Sequence, residues 1–202
     1  MSVKNGRSMK KIIFFLLIAF AIVLFLLSPL FSIQKIVVSG TSFYNEADIK
    51  KIYEDLIGKN GFCAVFKESS FSHIDKIFHL ELYNRTETLI FEKPYVRTAK
   101  ASYQFPNVLS VEISERSPAF LTAYEGVYLL IDSEGVVLET FTEDNKPSYP
   151  IVQGLSITSF KIGTSLNFSA EKEHLMTAIQ IYNLMQQTNM EIGYVDTIDI
   201  EN

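Results

Sequence analysis

The sequence predicts an α+β protein: a single transmembrane helix, then a β-α-α-β-β unit, then a β-rich domain that carries a helix. Three observations predict it. An apolar run of 20 positions stands near the start, apolar residues then recur at helical spacing, and from Thr98 the pattern switches to strict alternation.

The run Ile12 to Phe31 is interrupted only by Ser28 and Pro29, close to the ~20 residues a helix needs to cross a ~30 Å hydrocarbon core. Ahead of it lie Lys4, Arg7, Lys10 and Lys11 with no acidic residue, and such a basic flank stays in the cytoplasm. The expectation is a cytoplasmic tail over 1–11, a transmembrane helix over 12–31 and extracytoplasmic domains beyond. The run is longer than the apolar region of a cleaved signal and no A-x-A-like site follows it, so the anchor is expected to be retained. With a formal charge of −5 and four positive charges ahead of the anchor, the rest of the chain carries −9. That balance disfavours phosphate backbones and anionic lipid surfaces, so nucleic acid is excluded as a partner. Cys63 is the only cysteine. It rules out an intrachain disulfide and is expected as a small buried or half-buried apolar residue.

Beyond the anchor, Ile36, Val37 and Val38 form a short apolar run stopped by Gly40, as in a buried strand. Asn45 is the expected N-cap of a helix over 46–57, accepting from the Asp48 amide. Glu46 and Asp48 suit the positive end of the helix dipole, and Ile49, Ile52, Tyr53, Leu56 and Ile57 recur at helical spacing before Gly58. Over residues 59–93 periodicity is weak, and one short helix between His73 and Phe91 is expected. Ala99, Ala101, Tyr103 and Phe105 then alternate with polar residues. After the turn formers Pro106 and Asn107, Leu109, Val111 and Ile113 do the same. The pair predicts a hairpin with one polar face toward water.

Glu115, Arg116, Ser117 and Pro118 interrupt the pattern. Proline cannot donate to a sheet ladder, so a domain boundary is expected near Arg116, giving domains over 32–116 and 117–202. Strands follow at 119–124, 127–131 and 136–141, with a turn at DSEG, 132–135. After IVQG, 151–154, and the segment 157–166, Ser169 is the expected cap of a helix whose Leu175, Ala178, Ile179, Tyr182 and Met185 form a core-facing stripe. The stretch GYVDTIDI, 193–200, predicts a last strand.

No catalytic constellation emerges. The nucleophile-elbow and S-x-x-K tokens are missing, and the spacing of His73, His79 and His174 matches no helical zinc pair. Cys63 with His73 or His79 is the one thiol pairing to consider, and nothing around GFCAVF marks a stabilised thiolate. Glu112 with Glu115, and Asp196 with Asp199, are carboxylate pairs best taken as solvated surface charge. Asn84 and Asn167 head glycosylation-type triplets that matter only in a eukaryotic secretory pathway. No catalytic, cofactor, metal or small-molecule site is predicted. Binding is the function small sheets favour, because an exposed edge presents unpaired N–H and C=O groups to a partner strand.

The order of several segments resembles the FtsQ/DivIB bacterial cell-division proteins: the basic stub and anchor, IQKIVVSGTSFYNEADI, KNGFCAVF, KPYV, YQFPNVLSVEISERSPA, YLLIDSEGVVLE and PIVQGL. The resemblance implies a POTRA domain followed by a β domain, in a non-enzymatic bitopic scaffold of the division septum. It implies partners among FtsL-like and FtsB/DivIC-like bitopic proteins and septal synthase components, and KNGFCAVF as a loop after the first helix. Glu115, Arg116 and Pro118 would hold the interdomain junction. The family continues past the segment 170–200 with further strands, so the partner-binding edge is expected in Tyr194, Val195, Asp196, Ile198 and Ile200, or is incomplete at Asn202. Two other readings remain: a POTRA-type assembly factor or chaperone, and an anchored cell-wall enzyme with a site in residues 59–93.

Overall fold

A computed structural model describes residues 4–69, 74–168, 172–188 and 197–200. The fold is mixed α+β, with an N-terminal apolar helix and sheets that fall into two compact units, one of Met1–Thr88 with Ala99–Ile113 and one of Leu89–Thr98 with Ser114–Asn202.

In the first unit, helix α1 spans Lys4–Leu26, and its segment Met9–Leu26 is long and apolar enough to cross a membrane, with every side chain from Met9 to Phe25 exposed. The helix ends short of the expected Phe31. Ser28 is held extended by the proline that follows it, and Pro29 opens a 3₁₀ turn over Pro29–Phe31 instead of continuing the α-helix. Strand β1, Lys35–Ser39, pairs in parallel with β3, Val108–Glu115, and the sheet order is β1-β3-β2, with β2 at Val96–Gln104. Among the described residues, four α-helices lie between β1 and β2: α2 (Glu46–Tyr53), α3 (Gly61–Glu68), α4 (Ile74–Phe78) and α5 (Tyr83–Glu92).

Several expectations here need correcting. Helix α2 tightens into a 3₁₀ turn at Glu54–Leu56, and Asn45 caps the amide of Ala47, one residue earlier than expected. GFCAVF is a helix, α3, because Asn60 caps the Cys63 amide and Gly61, Ala64 and Val65 share one buried face. Cys63 lies on the opposite face and is exposed. Where one short helix was expected between His73 and Phe91, the described residues hold α4 and α5, since Leu80 turns at φ +55° and its carbonyl accepts from the Tyr103 amide. Ser110 is buried although it stands on the polar positions of β3, a strand flanked on both sides. Gly40 ends β1 at φ +81°, where a Cβ would stand 2.0 Å from the carbonyl oxygen of Ile113.

The second unit is built on a five-stranded sheet of order β10-β7-β4-β5-β6, with β4 at Pro118–Tyr124, β5 at Val127–Asp132, β6 at Val137–Phe141, β7 at Ile151–Gln153 and β10 at Thr197–Asp199. β4 and β5 are antiparallel, as are β5 and β6, whereas β7 runs parallel to both β4 and β10. A small ladder of β8, Ile157–Ser159, and β9, Asn167–Phe168, stands apart. Helix α6, Lys172–Gln187, buries Leu175, Ala178, Tyr182 and Met185 in the same core as Phe120, Leu129, Ile131 and Ile198, as its stripe predicts. Its expected cap, Ser169, lies outside the described residues.

Candidate functional site

Two features of the second unit bear on function, a polar cluster around Arg116 and the sheet edge formed by β10. Arg116 stands between β3 and β4. Its amide donates to the Tyr95 carbonyl at 2.7 Å, and its Nη1 reaches both Asp132 Oδ2 and Glu134 Oε2 at 2.7 Å. Asp132 closes the DSEG turn: its Oδ1 accepts the amides of Glu134 and Val136 at 2.9 and 2.8 Å, with Gly135 at φ +83°. Its side chain is only 3% exposed, with its carboxylate oxygens met by Arg116 and those amides. Arg97 adds a second guanidinium to Glu134. Partial burial pushes the Glu134 carboxyl upward, but the hydrogen bonds from Arg116 and Arg97 outweigh it and hold the group below the usual carboxylate range.

Of the predicted junction residues, Arg116 and Pro118 come together on Asp132, because Pro118 pairs with Asp132 in the β4–β5 register. The Pro118 carbonyl also accepts from the Tyr182 hydroxyl at 3.4 Å. Glu115 ends β3 and is partly exposed. Sequence reading missed Arg97, Glu134 and the role of Asp132; a D-x-x-G turn following an E-R pair was the signal available.

At the sheet edge, β10 is the outermost strand beside β7 among the described residues, with Ile198 and Ile200 buried and Thr197 and Asp199 exposed. Tyr194, Val195 and Asp196 lie outside the described residues. At the β6 edge, the backbone at Val137 accepts from Gly163 and donates to Thr164. Elsewhere, His79 Nδ1 lies 2.7 Å from the Asp75 carbonyl, and His73 is outside the described residues. Among the described residues no cluster of three or more His, Cys, Asp or Glu is arranged to hold a metal.

Cell division protein DivIB of Clostridium botulinum strain Hall is 23% identical over 201 residues, which is 98% of this chain and 71% of that protein. Along its length the chain is similar to proteins named DivIB and FtsQ cell division proteins. DivIB of Clostridium acetobutylicum is 27% identical over 132 residues, 65% of this chain and 52% of its own length, so the match spans only about half of that relative. FtsQ of Geotalea daltonii is 33% identical over 82 residues, 41% of this chain and 29% of that protein. No protein-family model matches the sequence. These relatives support a role in cell division, and with the apolar helix α1 they fit a single-pass membrane protein at the septum.

Proposed function

We propose that the protein is a non-enzymatic bitopic scaffold of the bacterial division machinery. Its N-terminus faces the cytoplasm and α1 spans the membrane. A POTRA domain over 32–116 and a β domain over 117–202 lie outside, binding FtsL-like and FtsB/DivIC-like proteins and helping to control septal wall synthesis. The observation that carries this reading is the similarity to DivIB proteins along nearly the whole chain. The mode of binding proposed is strand addition at the sheet edge beside β7, where among the described residues β10 is the outer strand and Ile198 is anchored in the core. Arg116, Glu115 and Pro118 hold the junction at which the five-stranded sheet begins.

Photo-crosslinking in living cells tests this mode. A photoreactive residue placed at Asp199 of the full chain is expected to capture bitopic division proteins, whereas the same residue at Glu125, in the β4–β5 turn, is not. Equal capture at both positions, or capture at neither, contradicts strand addition at β10.

A further inference from the structure

In the first unit the end of α1 is tied to the fold that follows it. The Asn60 side chain accepts from the Cys63 amide and donates to the Leu26 carbonyl at 2.8 Å, so one residue caps the start of α3 and the end of α1. Phe31 packs edge-on against Phe25 of α1 at 5.3 Å between ring centroids, and against Phe62 at 5.5 Å and Phe105 at 6.3 Å. The Tyr103 hydroxyl, also in this cluster, donates to the Phe31 carbonyl at 3.1 Å.

The cluster is open on one side. Phe105 is 59% and Phe66 60% exposed, and Leu27 and Leu30 are exposed in the link from α1. Phe62 and Phe66 are neighbours on α3 by their i, i+4 spacing, flanking the buried Gly61, Ala64 and Val65, with Phe62 half-buried in the ring cluster and Phe66 exposed. The 18 residues Met9–Leu26 give a helix of about 27 Å at 1.5 Å per residue. That nearly matches the ~30 Å hydrocarbon thickness, so the residues just past Leu26 fall in the headgroup zone. Rings one contact away from Phe25 fall there with them.

We infer that Phe62, Phe66 and Phe105, with Leu27 and Leu30, form a lipid-docking face that seats the first unit in the interfacial layer of the leaflet it faces. The inference rests on α1 being a membrane span. Continuity with α1 identifies the occupant as lipid, because the capped helix end and the ring cluster leave this face beside the point where the chain leaves the bilayer. Attraction is by apolar and aromatic burial in the interface, consistent with the acidic charge of the chain beyond α1.

The chain contains no tryptophan, so Leu17→Trp, Phe43→Trp, Phe66→Trp and Phe105→Trp each install a single reporter in the full chain, reconstituted into phosphatidylcholine vesicles carrying brominated lipid. Phe43 is exposed near the far end of β1 and serves as the reference. The expected result is quenching at 66 and 105 several-fold stronger than at 43, insensitive to salt, with the Leu17→Trp variant quenched by lipid brominated deep in its chains. Quenching at 17 with 66 and 105 no different from 43 would overturn the inference, giving the face to a protein partner and leaving the membrane span intact. An unquenched Leu17→Trp variant would remove the span and the inference together.

Discussion

Each unit is pinned by one arginine, and the two pins differ in what they hold. Arg116 binds Asp132, a nearly buried carboxylate in a tight turn, so the charge at stake has little access to water. Arg85 spreads over the first unit, from Nε to Glu68 at 2.9 Å, Nη1 to the Ile52 carbonyl at 2.8 Å and Nη2 to Asp55 at 2.9 Å. Its Asp55 partner is 54% exposed and its Glu68 partner 12%, against 3% for Asp132. The contrast teaches that equal numbers of ion pairs carry unequal stability, because what matters is the charge left stranded when the arginine is removed.

The largest expected effect follows from that. Arg116→Ala leaves Asp132 buried without its cation and is expected to destabilise the second unit by about 4 kcal/mol. Hydrogen exchange read separately over β4–β6 and over α2–α5 checks it, with protection lost in the second unit alone. Next, Gly40→Ala places a Cβ against a backbone carbonyl at a left-handed φ, and about 3 kcal/mol is expected to be lost from the first unit. Arg85→Ala follows, at about 2 kcal/mol for lost charge-assisted bonds, visible as faster exchange in α2, α3 and α5. If Arg85→Ala cost more than Arg116→Ala, the comparison would be reversed.

The smallest effect is on pH dependence. The Arg85 hydrogen bond holds the Asp55 carboxyl at about 2, below its ordinary 3.8. A depressed folded-state pKa means this stability is fully present above the ordinary value and is lost as pH falls from about 4 toward 2. With Asp55 half exposed, less than about 1 kcal/mol is at issue. Acid titration of the first unit's unfolding should therefore flatten over that window in Arg85→Ala relative to the native sequence.

How much of each pin was legible follows from where its partners lie. Arg116 stood out because proline and a charge break marked the strand boundary, and Asp132 was placed in a turn with Gly135, but nothing local joined the two as an ion pair. Arg85 was invisible as a pin, since Asp55 and Glu68 lie 30 and 17 residues away and no periodicity links them. The same distinction runs through the fold. The β2–β3 alternation, the α2 stripe and the α6 stripe each bury one face, which leaves a period in the sequence. Helix α3 left none, because it is only eight residues long and an apolar residue, Phe66, also stands on its exposed side. The last strand was legible as apolar alternation, and Ile198 and Ile200 are buried accordingly, but its place at the outer edge of a parallel pair comes only from tertiary structure.

The central claim is a division scaffold, and imaging of host cells carrying a fluorescent fusion on the N-terminus, with the native protein depleted, tests it most directly. The account predicts midcell rings from the fusion and, when no copy is supplied, filamentous cells that fail to divide. Uniform membrane fluorescence together with normal division on depletion would contradict it.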